Sequence, residues 1–149
     1  MNELNYASLE ASKRLTEAGI VIEKTDNVWI YARHVPLKGA DRSWQLFDRR
    51  SLMAIEVTEQ RPDCLIPAPS MAEVWRELPE YYNDGELYIS KINDNMTNAG
   101  YLEGEVFQNA NPTDALIDLL IWVRGQKGYQ HTKVFNAINA TTGINEEKP

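Results

Sequence analysis

Apolar residues recur along this chain with two periods, and the change from one to the other lays out the elements of an α+β fold. Ala7, Ala11, Leu15 and Ala18 stand four, four and three residues apart, which is one face of a helix over residues 6–18. Lys13, Arg14 and Glu17 take its other side. Gly19 suits the left-handed position just past a helix end, and Ile20 the hydrophobic contact that follows it. A second helix is marked over 70–78. Ser70 and Glu73 have the spacing of a capping box, in which each side chain satisfies a free backbone N–H at the helix start. Met71, Val74, Trp75 and Leu78 form its apolar stripe, and Glu73, Arg76 and Glu77 are expected to face water. Pro79 stops it, while Pro67 and Pro69 hold the preceding chain extended. The stripe is expected to be buried, with Trp75 its largest member, so that truncating Trp75 to alanine would cost about 3–5 kcal/mol.

The third helix spans 112–124. Asn111 is its N-cap, Pro112 takes the first position, Asp114 favours the positive end, and Gly125 follows Arg124 to end it. Ala115, Leu116, Leu119, Leu120 and Val123 share one face, with Asp114 and Asp118 expected on the opposite side. Ile117, Ile121 and Trp122 flank those aspartates, so the helix should be covered on more than one side. Two covers are available: the segment beyond Gly128, with Tyr129, Val134, Phe135 and Ile138, or the same helix of a second subunit. A homodimer through this helix or through the C-terminal extension is therefore an explicit expectation.

Runs rich in Val, Ile, Tyr and Trp, bounded by turn signals, supply the strands. Residues 20–24 and 28–33 flank Thr25-Asp26-Asn27 as a hairpin. Trp44 to Asp48 and residues 52–57 flank Arg49-Arg50-Ser51 as another. Residues 86–92 and 100–107 lie on either side of an Asn-rich loop, 93–99, and Asp84-Gly85 is a turn. The expected architecture is α+β: an antiparallel sheet of hairpins with about three helices packed on it. Residues 1–128 form the domain, and 129–149 a C-terminal extension whose last residues are expected to be disordered.

Composition narrows the partners. A chain of 149 residues suits one domain. Its 22 acidic against 15 basic residues give a formal charge of −7, which disfavours a phosphate-contacting surface and argues against nucleic acid. The single cysteine, Cys64, cannot form an intrachain disulfide, which fits a reducing compartment. The opening Met1-Asn2-Glu3-Leu4-Asn5 lacks the basic and apolar regions of a signal peptide. The longest apolar run, 115–123, contains Asp118 and falls short of the roughly 20 residues that span a bilayer, so no membrane partner is expected.

Two segments and the opening carry a resemblance. They are Ile66-Pro67-Ala68-Pro69-Ser70-Met71-Ala72-Glu73-Val74-Trp75-Arg76-Glu77-Leu78-Pro79, then Ala115-Leu116-Ile117-Asp118-Leu119-Leu120-Ile121-Trp122-Val123, then Ala7-Ser8-Leu9-Glu10-Ala11-Ser12 with Ala18-Gly19-Ile20. Together they resemble small proteins encoded by phages and prophages of gut bacteria, a family that carries no known activity. The resemblance implies an origin, and with it the cytoplasm of a bacterial host. It transfers no functional residues, and the chain from Gly128 onward lies outside the shared pattern.

The residues themselves offer little chemistry. His34, His131 and Cys64 are isolated, without metal-ligand spacing, so no metal or other cofactor is expected. Residues 94–105 superficially match a calcium loop, but Met96 and Ala99 stand where a ligand and a glycine are needed. Ser70 is explained as an N-cap, and Cys64 as a small apolar residue. The pairs Glu103/Glu105, on one strand face, and Glu73/Glu77, one helical turn apart, are expected to be solvated and so unsuited to acid–base work. Lys38-Gly39-Ala40 is too short for a phosphate loop. One binding surface can be named: Trp29 and Tyr31 project opposite to Val28 and Ile30, with Trp44 on the next strand. Such an aromatic face stacks a base or a sugar, or binds protein; the weightier structural reading is a second core layer under a helix. The functional expectation is an accessory protein acting through contacts with an unidentified protein partner. The alternatives are a small hydrolase or nucleotide-processing enzyme built on scattered acids and His34, and a small-ligand domain using Trp29, Tyr31 and Trp44.

Overall fold

The computed structural model describes residues 5–31 and 44–126. Within them lie two antiparallel sheets and four α-helices, an α+β fold. In the first sheet β1 (Asn27–Tyr31) is central, flanked by β2 (Trp44–Asp48) and β3 (Leu65–Ala68). The second is a meander of β4 (Tyr81–Tyr82), β5 (Gly85–Asn93), β6 (Met96–Tyr101) and β7 (Val106–Asn109). The helices are α1 (Leu9–Glu17), α2 (Leu52–Gln60), α3 (Met71–Glu77) and α4 (Pro112–Gly125).

Capping signals place the second and third expected helices where the sequence puts them, whereas α1 begins at Leu9 and not at residue 6, where Tyr6 bridges to Ser70. Ser8 caps α1, and Gly19 follows it at φ 73°. The N–H groups of Gly19 and Ile20 donate to Thr16 O and Leu15 O, the paired bonds of a Schellman end. Ser70 and Glu73 complete their capping box on α3, and Asn111 accepts from the N–H groups of Thr113 and Asp114 at the start of α4.

Two hydrophobic clusters hold the fold. The larger gathers α1, α3, α4, Ile20, Ile22 and the inner face of the second sheet. In α4, Ala115, Leu116, Ile117, Leu119, Leu120 and Val123 are all fully buried. Trp122 packs edge-on against Tyr82, 5.6 Å between ring centres, and lies 6.3 Å from Phe107. The flanks of α4 are thus covered by the domain itself. The 129–149 extension, one of the two covers expected, lies outside the described residues, and a second subunit is the other. The aspartates of α4, placed opposite its core face by the sequence, meet α1. Arg14 of α1 donates through Nε and Nη2 to Asp118 Oδ1, at 3.2 and 2.8 Å, and Ser8 N–H donates to Asp114 Oδ1 at 2.8 Å. Burial pushes the Asp114 carboxyl above its usual range, against the pull of the Ser8 hydrogen bond. The acidic stripe of α4 is therefore the seat of α1.

The second cluster lies between Val28 and Ile30 of β1 and Ala54 and Val57 of α2. Here the expected hairpin over 52–57 is overturned, because the segment is helical. Ser51 accepts from Ala54 N–H as an N-cap, and Leu, Met, Ala and Glu outweigh the β-branched Ile55 and Val57. The hairpin of 20–24 with 28–33 is overturned too: β2 and β3 occupy both edges of β1, and Ile20 and Ile22 go into the larger core without strand pairing. In the second sheet the Asn-rich stretch is mostly strand β6, where Thr97 and Ala99 are buried and paired on both sides. Tyr81 and Tyr82 form a short strand, returned by Asn83 and Asp84, both at positive φ (49° and 66°) as a tight two-residue hairpin turn requires.

Candidate functional site

The structure brings two of the three aromatic residues singled out in the sequence together and ties the third to the entry of α1. Trp29 spends its indole N–H on Ala7 O, at 3.1 Å, at the entry to α1. Tyr31 and Trp44 are paired across β1 and β2, with ring centres 5.4 Å apart. Lys13 Nζ of α1 lies 5.7 Å from the centre of the Trp44 ring. All three are half-buried, with Ala7 beside Trp29 and Lys13 of α1 over Trp44. His34 and His131 lie outside the described residues. Cys64 is buried, with Sγ 3.8 Å from Asp63 Oδ2, and among the described residues no three His, Cys, Asp or Glu side chains come together as a ligand set.

The acidic pairs are also redistributed. Glu103 and Glu105 sit in the exposed loop between β6 and β7 and not on a strand face. Glu73 is 6% exposed, and its carboxylate accepts from Asp26 N–H at 3.0 Å and Ser70 N–H at 2.7 Å. Glu77 Oε2 lies 3.7 Å from Arg124 Nη2 of α4 in a mostly buried pair. Neither residue is left to water, because one carboxylate ties α3 to the loop before β1 and the other ties it to α4.

Turning these acids inward turns part of the apolar stripe outward. Val74 and Leu78 are buried as expected, but Met71 and Trp75 remain 37% and 38% exposed. The expectation that Trp75 is the main buried anchor of α3 is thereby corrected. A seven-residue helix with Glu73 and Val74 on its buried side presents positions 71 and 75, one turn apart, to the outside.

Trp75 forms a wall of a cleft of about 350 Å³, completed by Arg76, Leu78, Glu80, Glu86 and Leu87. Its shape follows from the chain path. Pro79 ends α3, Tyr101 OH donates to Pro79 O at 2.7 Å, and Leu87 N–H donates to Glu80 O at 2.9 Å. These bonds bring β5 beside the last turn of α3. Leu78 and Leu87, both nearly buried, supply apolar surface, and the exposed Glu80 and Glu86 supply charge. No protein-family model matches this chain, and no curated protein or solved structure matches it either. The functional reading therefore stands on the site's own geometry.

A second recess, about 130 Å³, lies between the end of α1 and Pro67 and Pro69. Its walls are apolar apart from Thr16, whose hydroxyl already donates to Ser12 O at 3.0 Å. It lacks the convergent polar groups that give a ligand pocket its specificity. No described helix is long and apolar enough to cross a membrane. Within 70–78 the sequence carries no signal for the Trp75 cleft, because the long-range partners of Glu73 and Glu77 turn the helix.

Proposed function

We propose that this chain is an accessory protein of phage or prophage origin that works by binding a protein partner, and that the Trp75 face of α3 is its contact surface. The observation that carries this reading is an indole left 38% exposed on a helix that is otherwise tied down at both ends. Tryptophan at an interface supplies a large rigid contact area at little conformational cost, which is why it dominates binding hot spots. Met71, one turn before it, adds an adaptable apolar neighbour. The hydrolase reading has no comparable support: Glu73 and Glu77 are committed to holding the helix, and Glu103 and Glu105 are exposed. For the small-ligand reading, the Trp29 N–H is already used and Trp44 lies beneath Lys13.

Photo-crosslinking tests the proposal. A benzoylphenylalanine placed at position 75 in protein produced in gut-bacterial cells is expected to give an adduct of one discrete mass. The same group at the exposed loop position Glu103 is expected to give none. No adduct at 75, or the same heterogeneous adducts from both positions, would reject the contact surface.

A further inference from the structure

Resting on that reading, we propose that the Trp75 cleft receives a basic side chain, lysine or arginine, from the protein partner. Three features of the cleft match the two ends of such a side chain. Leu78 and Leu87 offer apolar surface to its aliphatic stem. The Trp75 indole lines the same cleft, where an aromatic ring can attract its cationic head. Glu80 and Glu86 place two carboxylates around the same opening, and neither has an ion-pair partner among the described residues.

Arg76 lines the cleft as well, but its Nε donates to Ala72 O at 3.2 Å, which draws the guanidinium along its own helix. Two carboxylates against one guanidinium leave the opening with net negative charge, as does the chain with its formal −7. A field of that sign accelerates encounter with a basic partner and opposes an acidic one. An uncharged aliphatic side chain fits the site less well, because closing the cleft over it takes Glu80 and Glu86 from water without giving them a partner.

The four tryptophans of the chain provide an internal control, since each gives its own indole N–H signal in a spectrum of the ¹⁵N-labelled full-length protein. The probe is the blocked peptide Ala-Leu-Arg-Leu-Ala, compared with the same peptide carrying norleucine or glutamate in place of arginine. The expected result is a saturable shift of the Trp75 signal with the arginine peptide, larger than any shift of Trp29, Trp44 or Trp122. Affinity is expected to fall as salt is raised and to weaken at least about fivefold in the Glu80→Gln/Glu86→Gln double variant, whose substitutions lie on exposed positions. An equal response to the norleucine peptide, an unchanged affinity in the double variant, or no shift at Trp75 would overturn the assignment. If it falls while the crosslink at position 75 persists, the contact surface stands and its occupant is not a basic side chain. If the crosslink is absent too, the surface itself is rejected.

Discussion

Glu73→Ala is expected to lower the free energy of unfolding by about 3–5 kcal/mol, read from urea denaturation of the full chain. The carboxylate is buried and accepts two backbone N–H groups, from Asp26 and Ser70, that lie 44 residues apart in sequence by their numbers (70 − 26). A hydrogen bond to a charged acceptor contributes roughly 1.5–3 kcal/mol, and the alanine leaves both donors without it. Glu73→Gln retains one acceptor oxygen but presents an NH₂ to the other donor, so it is expected to fall between the wild type and alanine. Ser70→Ala is the comparison that isolates the long-range bond. It removes only the other half of the capping box and is expected to cost about 1 kcal/mol. Equal losses in Ser70→Ala and Glu73→Ala would mean that the bond to Asp26 contributes nothing. The bond matters to the site because it ties α3, and Trp75 with it, to the loop leading into β1.

Leu120→Ala is expected to cost a similar amount, about 3–5 kcal/mol, by the same measurement. Leu120 is fully buried in the middle of α4, in the cluster that joins α1, α3 and the second sheet. Its neighbours belong to several elements, so no single one can close over the vacated volume. A loss under about 1.5 kcal/mol would show a core loose enough to collapse around the substitution.

The features legible in the sequence were those written in local chemistry. Caps are local: Ser70 with Glu73, Asn111 with Pro112, and Gly19 each marked a helix end that the structure keeps. Asp84-Gly85 likewise marked a turn that is present. Trp44 to Asp48 is a strand, as its aromatic and apolar content suggests. What failed depended on distant partners. Residues 52–57 carry no helical stripe because α2 buries only Ala54 and Val57 on the sheet and leaves Leu52 86% exposed. Residues 20–24 alternate because Ile20 and Ile22 enter the larger core, and no strand pairs with them. The pairing of β1 with β3 joins segments more than thirty residues apart, as in Trp29 with Ile66, and no turn signal announces it.

The candidate site was hidden for a related reason. An apolar stripe at helical spacing is most simply a buried face, and residues 71–78 carry four such residues in eight positions. The polar residues among them decided otherwise. Glu73 reaches both its own cap and Asp26, and Glu77 reaches Arg124, so the helix is turned by its carboxylates. Their partners lie in other parts of the chain, which the spacing within 70–78 does not reveal. Asp114 and Asp118 repeat the pattern on α4, where they serve Ser8 and Arg14 in place of solvent.

Whether Trp75 serves the fold or a contact is decided most directly by the stability of Trp75→Ala. With the indole 38% exposed and the helix held by Glu73, Val74 and Glu77, urea denaturation of the variant is expected to show a loss under about 1 kcal/mol with an unchanged denaturant slope. A loss of about 3–5 kcal/mol, the range for an aromatic side chain removed from a packed core, would make Trp75 a structural anchor and contradict its assignment as a contact surface.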